Sequence, residues 1–370
     1  MNPRGVLATV AASPAGSTAG TLAEEGRPTQ AGAYAIAVRE TWRPAEIAAG
    51  APWGAHREVV RYATLAPSSL NTQPWKFRVR SGELFVHPDF TRRMLLADPD
   101  DERLFMALGC AAENASIAAR AFGMNGTVAY HPSGLGGLRV ELAAAAHIEP
   151  SALFHAIPRR QSGRGLYDGR MPSEREVDLL ERSGADLGVH IAVVSTRYQI
   201  ERIAELACAA YAVQRADSAL LEERKKWIRF SEREALRRRD GVFARCEGRQ
   251  VLPQWLGERL FALSSGRYAY GARYAQQMRS SGGFAALFGG RSDPRSWTAV
   301  GRACERFLLQ ATALNMRAAM VLEPLEVRAM RLELGALLHS RHQLPDALIR
   351  FGYGPPGTRS LRRSHEEVTL

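Results

Sequence analysis

The sequence predicts an α+β fold, because patterns typical of helices and patterns typical of strands occur in separate stretches of the chain. Residues 102–122 repeat apolar and mostly small side chains at helical spacing, which predicts a long helix with a wide apolar face. Residues 76–80 alternate as in a half-buried strand, and residues 128–131 and 138–142 are typical of two strands joined by a glycine-rich hairpin turn. These stretches together predict helices packed on a sheet.

Length, composition and charge narrow the class of protein. The 370 residues, 46% of them hydrophobic, can bury a substantial core in about two domains or half-domains. No run approaches the ~20 apolar residues of a membrane-spanning helix, so no membrane partner is expected. The net charge of +11 suits nucleic acid, an acidic membrane or a phosphorylated small molecule, and charge alone does not choose among them. The highly charged residues 222–240 contain few aromatic side chains, which favours a solvated helical face over nucleic-acid binding.

Cysteine and histidine spacing predicts no metal site. The four cysteines lie far apart and form no C-x-x-C pair, so neither a zinc site nor a disulfide framework is indicated, and a reducing cytoplasm is the expected compartment. His339 and His342 form an H-x-x-H pair that is more typical of a solvated turn than of a metal site. The cysteines are Cys110, Cys208, Cys246 and Cys304.

Residues 66–75 form the most distinctive stretch of the sequence. Residues 56–65 have helical spacing, Pro67 ends that helix, and Pro74 keeps Gln73 extended. The loop therefore presents hydroxyls and amides without charge, which suits a flat, neutral heterocycle rich in hydrogen-bonding groups. A turn whose side chains cap their own backbone remains the alternative. The polar side chains are Ser68, Ser69, Asn71 and Gln73.

A second short run, residues 160–164, combines two arginines with a hydroxyl and a glycine. Arg160 and Arg164 can offer bidentate donors to a phosphate, and Ser162 can add a hydroxyl donor. A solvated basic turn is the alternative interpretation.

The sequence also contains a gapless internal match. Residues 299–316 align with residues 107–124, and the shared glycine and glutamate favour an internal duplication. Between the repeated segments, residues 216–293 change in character from highly charged to glycine- and aromatic-rich, which is typical of a cover over a pocket. The identical pairs are Ala107/Ala299, Gly109/Gly301, Ala111/Ala303, Glu113/Glu305, Ala119/Ala311, Ala121/Ala313 and Met124/Met316.

Residues 66–75, the run at 160–164, the paired helices and Gly352-Tyr353-Gly354 with its basic tail together resemble the nitroreductase family of FMN-dependent flavoproteins. Within that family the chain resembles the Acg-like branch of fused, single-chain members. The resemblance implies a nitroreductase-like fold with a central mixed sheet packed by helices, duplicated as a single-chain pseudodimer that binds one FMN. The implied parts are a flexible tail at 1–33, a first half at 34–150, a second half at 151–215 and 294–370, and a helical lid at 216–293.

The resemblance also implies roles for individual residues. Arg160 and Arg164 would hold the FMN phosphate, with Ser162 donating a hydroxyl and Arg362 and Arg363 as weaker contributors from the tail. The loop would line the ring and ribityl portions of the flavin. These loop residues are Pro67, Ser68, Ser69, Asn71 and Gln73.

The implied activity is electron transfer from NAD(P)H through FMN to a nitro, quinone or similar small acceptor, with no catalytic acid or base among the side chains. One departure bears on this activity. Where active members have a Glu-Gly pair that donates backbone N–H groups to the flavin, this chain has Glu323-Pro324, and proline has no N–H. The alternative is therefore a non-catalytic protein that sequesters FMN beneath its lid.

Overall fold

The computed structural model describes residues 32–46, 52–80, 82–132, 134, 136–145, 150–264, 268–340 and 343–370. Helices and antiparallel sheets occur in separate stretches, so the predicted α+β class is confirmed. Most of the predicted flexible tail, residues 1–31, and His342 of the H-x-x-H pair lie outside the described residues.

The helices follow the sequence patterns closely in the first part of the chain. The helix predicted at 102–122 is α3, and the helix predicted at 56–65 is α2, which begins a few residues earlier. The helices are α1 (Ala33–Thr41), α2 (Pro52–Thr64), α3 (Glu102–Ala121), α4 (Ala152–Ala156), α5 (Glu174–Glu181), α6 (Arg197–Ala216), α7 (Ser218–Lys225), α8 (Glu232–Arg238), α9 (Gln254–Ser264), α10 (Tyr268–Arg279), α11 (Pro294–Ala313), α12 (Glu323–Glu326), α13 (Arg328–Leu337) and α14 (His365–Val368).

The strands form two four-stranded antiparallel sheets, ordered β1-β2-β4-β3 and β5-β8-β10-β9, and one short parallel pair, β6-β7. Each larger sheet pairs strands from its own part of the chain, and isolated parallel bridges join Thr369 to Phe77 of β1 and Ser162 to Ala318 of β9. The strands are β1 (Trp75–Arg80), β2 (Glu83–Pro88), β3 (Val128–Tyr130), β4 (Leu138–Glu141), β5 (His190–Val194), β6 (Ile228–Arg229), β7 (Val242–Phe243), β8 (Gly283–Phe288), β9 (Arg317–Met320) and β10 (Ala347–Gly352).

Helices α3 and α11 cross at the centre of the molecule, and each has a glycine at the crossing. A Cβ atom on Gly109 would lie 2.1 Å from the carbonyl oxygen of Thr298, and one on Gly301 would lie 2.0 Å from that of Met106. Both distances are far below van der Waals contact, so only glycine allows the two backbones to approach this closely. The helix pair, buried along most of its length, forms the core of the protein.

The charged stretch at 222–240 is not the single solvated helix that its composition predicts. Helix α7 ends at Lys225, a short strand follows, and α8 starts after Ser231, whose Oγ accepts a hydrogen bond from the Glu234 backbone N–H at 3.2 Å. Arg229 is 5% exposed and pairs with buried Asp240 at 2.7 Å. The local sequence does not indicate that a charged side chain will be buried with a partner, because the two residues meet only in the folded protein.

The stretch at 216–293, expected to form a lid, includes one strand of the second larger sheet. Strand β8 occupies the middle of the second sheet, paired with both β5 and β10, and all its residues are buried. The segment between α6 and β8, residues 217–282, adds no strand to either larger sheet among the residues that the structure describes.

The chain after β10 returns to the first sheet. The backbone N–H of Leu370 donates to the carbonyl oxygen of Phe77 in β1 at 2.7 Å, and α14 packs against α2 and β1. On the way, the segment brings Arg359, Arg362 and Arg363 beside the 66–75 loop and the 160–164 run. Three sequence-distant stretches thus meet at one place.

Candidate functional site

The 66–75 loop has an unusual backbone. Leu70, Asn71 and Gln73 have φ values of 45°, 56° and 53°, in the left-handed region. Asparagine tolerates this region, whereas each of the other two residues costs about 1–2 kcal/mol there. Part of the cost is offset by Ser68, whose Oγ accepts a hydrogen bond from the Gln73 backbone N–H at 2.9 Å. Strain of this kind is concentrated at functional sites.

The two loop amides make contacts across the molecule. Asn71 Nδ2 donates to the carbonyl oxygens of Gly241 at 2.8 Å and Leu361 at 3.1 Å. Gln73 is fully buried; its Nε2 donates to the carbonyl oxygen of Arg239 at 2.9 Å, and its Oε1 accepts from the Arg363 backbone N–H at 2.9 Å. The loop is therefore held by both the 217–282 segment and the C-terminal tail.

Arginines and Trp42 surround one cavity, which we call the arginine cavity. The guanidinium carbons of Arg160, Arg359 and Arg362 lie 5.8, 5.1 and 4.9 Å from the centre of the Trp42 ring. Cation–π contacts of this kind contribute about 0.5–2 kcal/mol each. The cavity is lined by Trp42, Pro67, Ser68, Asn71, Arg160, Gln161, Ser162, Arg164, Cys246, Thr358, Arg359, Ser360 and Arg362.

The charges at the arginine cavity do not balance. The nearest carboxylate to Arg160 is the fully buried Glu305, with 3.6 Å between Nε and Oε1. Burial raises the pKa of Glu305 to about 7, although Arg160 acts to lower it. Burial and the charge of Arg160 lower the pKa of Arg359 to about 10 and that of Arg362 to about 9. Three crowded cations facing one carboxyl group favour an anion in the cavity.

Several buried polar atoms at this cavity have no hydrogen-bond partner among the described residues. They include Nε and Nη1 of Arg160, Nε of Arg362 and Oδ1 of Asn71. Leaving such atoms unpaired costs about 1–3 kcal/mol each, and more for charged groups. The other guanidinium nitrogens have partners: Arg160 Nη2, for example, donates to the carbonyl oxygen of Leu65 at 3.0 Å. The free donors thus belong to guanidiniums whose orientation is already fixed.

A second cavity, which we call the helix cavity, lies between α3, α11 and β9 and continues from the first. The two share Pro67, Ser68, Ser162 and Arg164. With the solvent at its mouth it contains about 910 Å³ free of protein atoms. It is lined by Pro67, Ser68, Ser69, Leu70, Arg103, Met106, Ala107, Cys110, Ser162, Arg164, Glu247, Cys304, Ala319, Met320, Leu322 and Glu323.

Arg164 lies where the two cavities join. Its Nη1 is 3.6 Å from Glu247 Oε1, and its carbonyl oxygen accepts a hydrogen bond from Gln277 Nε2 at 2.6 Å. Burial acts to raise the pKa of Glu247, but Arg249 and Arg164 outweigh it and the pKa is lowered. Glu247 and Gln277 both belong to the 217–282 segment, which therefore contacts Arg164 at this junction.

Glu323 begins α12 at the far side of the helix cavity. Its Oε2 accepts a hydrogen bond from the Tyr274 hydroxyl at 2.8 Å. Pro324, the second residue of α12, is buried and contributes no N–H. The Glu323 side chain is thus fixed by α10.

Comparison with known proteins followed from this geometry. No family model matches the chain. Two curated proteins of Mycobacterium tuberculosis, strains CDC 1551 and H37Rv, each named "Putative NAD(P)H nitroreductase", are 28% identical over 308 residues, which is 81% of this chain and 85% of theirs. The chain is similar in sequence to nitroreductases.

Solved nitroreductase structures match over a smaller part of the chain. The FMN-dependent nitroreductase NfnB of Mycobacterium smegmatis, in complex with NADPH, matches with a TM-score of 0.40 and 17% identity, over 59% of this chain and 97% of that one. A nitroreductase with bound FMN from Desulfitobacterium hafniense matches with a TM-score of 0.36 and 14% identity, over 60% and 98%.

Most residues predicted for the site line one of the two cavities, and two do not. Gln73 and Arg363 line neither; Arg363 Nη2 donates to the carbonyl oxygens of Gln73 at 2.5 Å and Trp75 at 3.3 Å, so these residues hold the loop in place. The predicted residues that line a cavity are Pro67, Ser68, Ser69, Asn71, Arg160, Ser162, Arg164, Glu323 and Arg362.

Sequence reasoning missed several residues that the structure brings to the site. Trp42 and Glu247 have no local motif, and Arg359 is one of several arginines in a basic tail. Glu305 could have been found, because it is the second member of the matched pair Glu113/Glu305. A glutamate that recurs on the buried face of a helix indicates a buried partner.

Among the described residues, no helix has the length and hydropathy that crossing a membrane requires. Within the same residues, histidine, cysteine, aspartate and glutamate side chains form no group of three or more that could hold a metal ion.

Proposed function

We propose that the chain is an FMN-binding oxidoreductase of the nitroreductase type, which transfers electrons from NAD(P)H to a nitro, quinone or similar small acceptor. The observation that carries the proposal is the joined pair of cavities, with a cationic end and a longer, mostly apolar end. A flavin mononucleotide has the same polarity, with a dianionic phosphate at one end and a flat ring at the other. The names of the two mycobacterial relatives agree with this assignment.

The residues at the arginine cavity fit the phosphate of FMN. The unpartnered Nε and Nη1 atoms of Arg160 and the Nε of Arg362 are donors that lack acceptors among the described residues. Phosphate oxygens would satisfy them with charge-assisted hydrogen bonds, which contribute about 1.5–3 kcal/mol each. The charge of the phosphate would also balance the three guanidiniums around Trp42. Ser162 and Arg164 lie at the junction, where they would contact the phosphate from the other side.

The helix cavity fits the remainder of the cofactor. Ser68 and Ser69 offer hydroxyls, Asn71 Oδ1 is an unpartnered acceptor for a ribityl hydroxyl, and Met106 and Ala107 supply apolar surface from α3. When bound, the flavin would supply the hydride and electron transfer chemistry. The chain would bind and orient the cofactor and exclude water, and no side-chain acid or base is needed.

We also propose that the chain is a single-chain pseudodimer of the Acg-like type. The crossing of α3 and α11 supports this, because its close contacts are reciprocal under the alignment of the two repeats. Gly109 approaches Thr298, and Gly301 approaches Met106. At the offset between the two repeats, Gly109 corresponds to Gly301 and Met106 corresponds to Thr298. Each contact is therefore the counterpart of the other. Reciprocal contacts of equivalent residues are what a twofold interface produces. The expected result is one FMN per monomeric chain, and two per chain would contradict it.

The segment 217–282 is proposed as a lid. Its Glu247 lines the helix cavity, and its Gln277 and Tyr274 make hydrogen bonds to Arg164 and Glu323 at either side of that cavity. These contacts support the second candidate function, a protein that sequesters FMN. Pro324 favours the same candidate, because a missing N–H would weaken stabilisation of a reduced, anionic flavin.

One experiment tests the proposal and separates the two candidates. The protein is reconstituted with FMN, its absorbance spectrum is recorded, and NADH or NADPH is added without oxygen. Rapid loss of the flavin absorbance near its visible maximum supports the oxidoreductase, and persistent absorbance supports sequestration. A chain that retains no FMN after gel filtration would overturn both.

A further inference from the structure

A third cavity adjoins the helix cavity on the side of the lid, and we call it the tyrosine cavity. The two share Arg164, Glu247, Ala319, Met320 and Glu323. The rings of Tyr211 and Tyr274 stack at its wall, with centres 4.5 Å apart and planes 13° from parallel. The cavity is lined by Arg164, Tyr211, Glu247, Arg249, Arg273, Tyr274, Gln277, Met278, Ala319, Met320, Val321, Glu323 and Arg350.

Arg350, on the central strand β10, gives this cavity a buried positive charge. Its side chain is 2% exposed and donates only to neutral oxygens, among them Ser281 Oγ at 3.1 Å and the Gly165 carbonyl at 3.1 Å. No carboxylate among the described residues forms an ion pair with it, and its guanidinium lies 3.9 Å from the centre of the Tyr167 ring. Burial lowers the pKa of Arg350. A buried cation of this kind is costly unless an anion approaches it.

The other charges of the tyrosine cavity add to the excess. Arg273, on α10, donates to the carbonyl oxygen of Gly248 at 3.1 Å and has no carboxylate partner in the part of the chain that the structure describes. Arg164 and Arg249 both pair with the same carboxylate, Glu247, at 3.6 and 2.7 Å. Glu323 is the remaining acid, so the lining holds four guanidiniums and two carboxylates.

A neighbouring cavity provides the contrast. It is also rich in arginine, but Arg92 and Arg93 pair with Asp240 and Asp101, and Arg224 pairs with Glu326 at 2.6 Å. Each of these three arginines has a carboxylate partner, whereas Arg273 and Arg350 of the tyrosine cavity form no ion pair with a carboxylate of the described residues.

We propose that the tyrosine cavity binds a phosphate or carboxylate group carried by the co-substrate that exchanges electrons at the helix cavity, which rests on the proposed function. Arg273 and Arg350 bind the anion, and the stacked rings of Tyr211 and Tyr274 support the aromatic or heterocyclic part next to it. The shared wall of Ala319 and Met320 places that part beside the helix cavity. The lid thus selects co-substrates by charge as well as covering the site.

Two sources of this anion are distinguishable: the 2′-phosphate of a nicotinamide dinucleotide and the carboxylate of an aromatic acceptor. The kinetic arms compare NADPH with NADH, and 4-nitrobenzoate with nitrobenzene. If the dinucleotide is the source, only the NADPH over NADH preference depends on the arginines. If the acceptor is the source, only the preference for 4-nitrobenzoate over nitrobenzene depends on the arginines.

The variants are Arg273→Gln and Arg350→Gln, with Arg279→Gln as the matched control. Arg279 lies on the same helix α10, but it pairs with Glu201 at 2.7 Å and does not line the cavity. Arg273 is exposed, so its variant tests the proposal even if Arg350→Gln fails to fold. The readouts are KM for each pair of substrates and isothermal titration with 2′-AMP and 4-aminobenzoate, which need no turnover.

We expect Arg273→Gln to weaken binding of one anionic probe, and the KM of the matching substrate, by about tenfold, since a charge-assisted hydrogen bond is lost. NADH and nitrobenzene should be unaffected, and Arg279→Gln should behave as wild type. Equal affinity of Arg273→Gln and wild type for both anionic probes would overturn the inference. The flavin content of the same samples is measured separately. Absence of FMN would count against the proposed function, whereas the titrations with the anionic probes would still test whether the tyrosine cavity binds an anion.

Discussion

Arg160 and Glu305 form an ion pair in the interior, with 3.6 Å between Nε and Oε1 and no more than 2% of either residue exposed. The pair couples the anion site to the central helix α11. Because both oxygens of Glu305 lack hydrogen-bond partners among the described residues, the carboxyl group acts on Arg160 mainly through its charge.

The first prediction concerns replacement of Glu305 by glutamine, which keeps its shape and removes its charge. Burial already disfavours the ionised carboxylate, so removing it should not destabilise the FMN-free protein, while the three guanidiniums keep their full positive charge for a bound phosphate. We expect the increase in Tm on adding FMN to be larger in Glu305→Gln than in wild type. An increase equal to or smaller than that of wild type would argue against charge compensation by the phosphate. Glu333→Gln, on α13, serves as the control.

The second prediction concerns pH. Burial raises the pKa of Glu305 in the folded protein to about 7 from an ordinary value near 4.5, so the folded state binds more protons than the unfolded state between those values. Its contribution to stability is therefore full below about pH 4.5 and falls as pH rises towards 7, by about 3 kcal/mol in all. Urea unfolding of the FMN-free protein across this range should show a steeper fall for wild type than for Glu305→Gln. Parallel profiles would contradict this.

The third prediction concerns the helix crossing. Alanine at Gly109 or Gly301 would place a methyl group about 2 Å from a backbone carbonyl oxygen, so the helices must separate. We expect each substitution to lower the free energy of unfolding by roughly 3 kcal/mol or more, at the upper end of overpacking effects. Gly271→Ala on α10, where nothing lies within 4 Å of the added Cβ, should leave stability unchanged or slightly higher. Similar effects at the three positions would rule out close approach as the reason for the glycines.

The fourth prediction concerns the phosphate. Arg160→Ala removes the two unpartnered donors at the arginine cavity, and we expect it to weaken FMN binding by about 100-fold, which corresponds to roughly 2.7 kcal/mol. The neighbouring Arg159 is exposed, donates to the carbonyl oxygen of Thr312 at 3.0 Å and does not line the cavity, so Arg159→Ala is the control. Fluorescence titration with FMN measures both, and circular dichroism checks folding. Retention of FMN by Arg160→Ala at wild-type affinity would refute the role assigned to this arginine.

How far the sequence predicts the structure depends on whether a feature is local. Helix α3 and the hairpin of β3 and β4 have their periodicity and turn residues within a few dozen positions, and they form as predicted. The 160–164 run was recognised because its donors are adjacent in sequence. Trp42 and Arg359 could not be assigned, because they meet Arg160 only after three distant stretches have packed together.

The predictions that differ from the structure also concern contacts between residues that are distant in the sequence. The stretch at 222–240 contains charges at helical spacing, and only the folded structure shows that Arg229 is buried against Asp240, which also pairs with Arg92. Gln73 was predicted to contact the ligand because it is a polar side chain in a loop. In the structure its amide joins Arg239 to Arg363, a contact between residues that no local pattern connects.

The return of the chain from β10 to the first sheet has a consequence for biosynthesis. Arg359 and Arg362 are translated long after Trp42 and Arg160, so a nascent chain lacks two of the three guanidiniums around Trp42 until this stretch leaves the ribosome. Both larger sheets can be complete before that moment, because their last strand, β10, precedes Arg359. Capture of an anionic cofactor would therefore wait until residues 359–362 have been synthesised, and quenching of flavin fluorescence during cell-free translation would time that step.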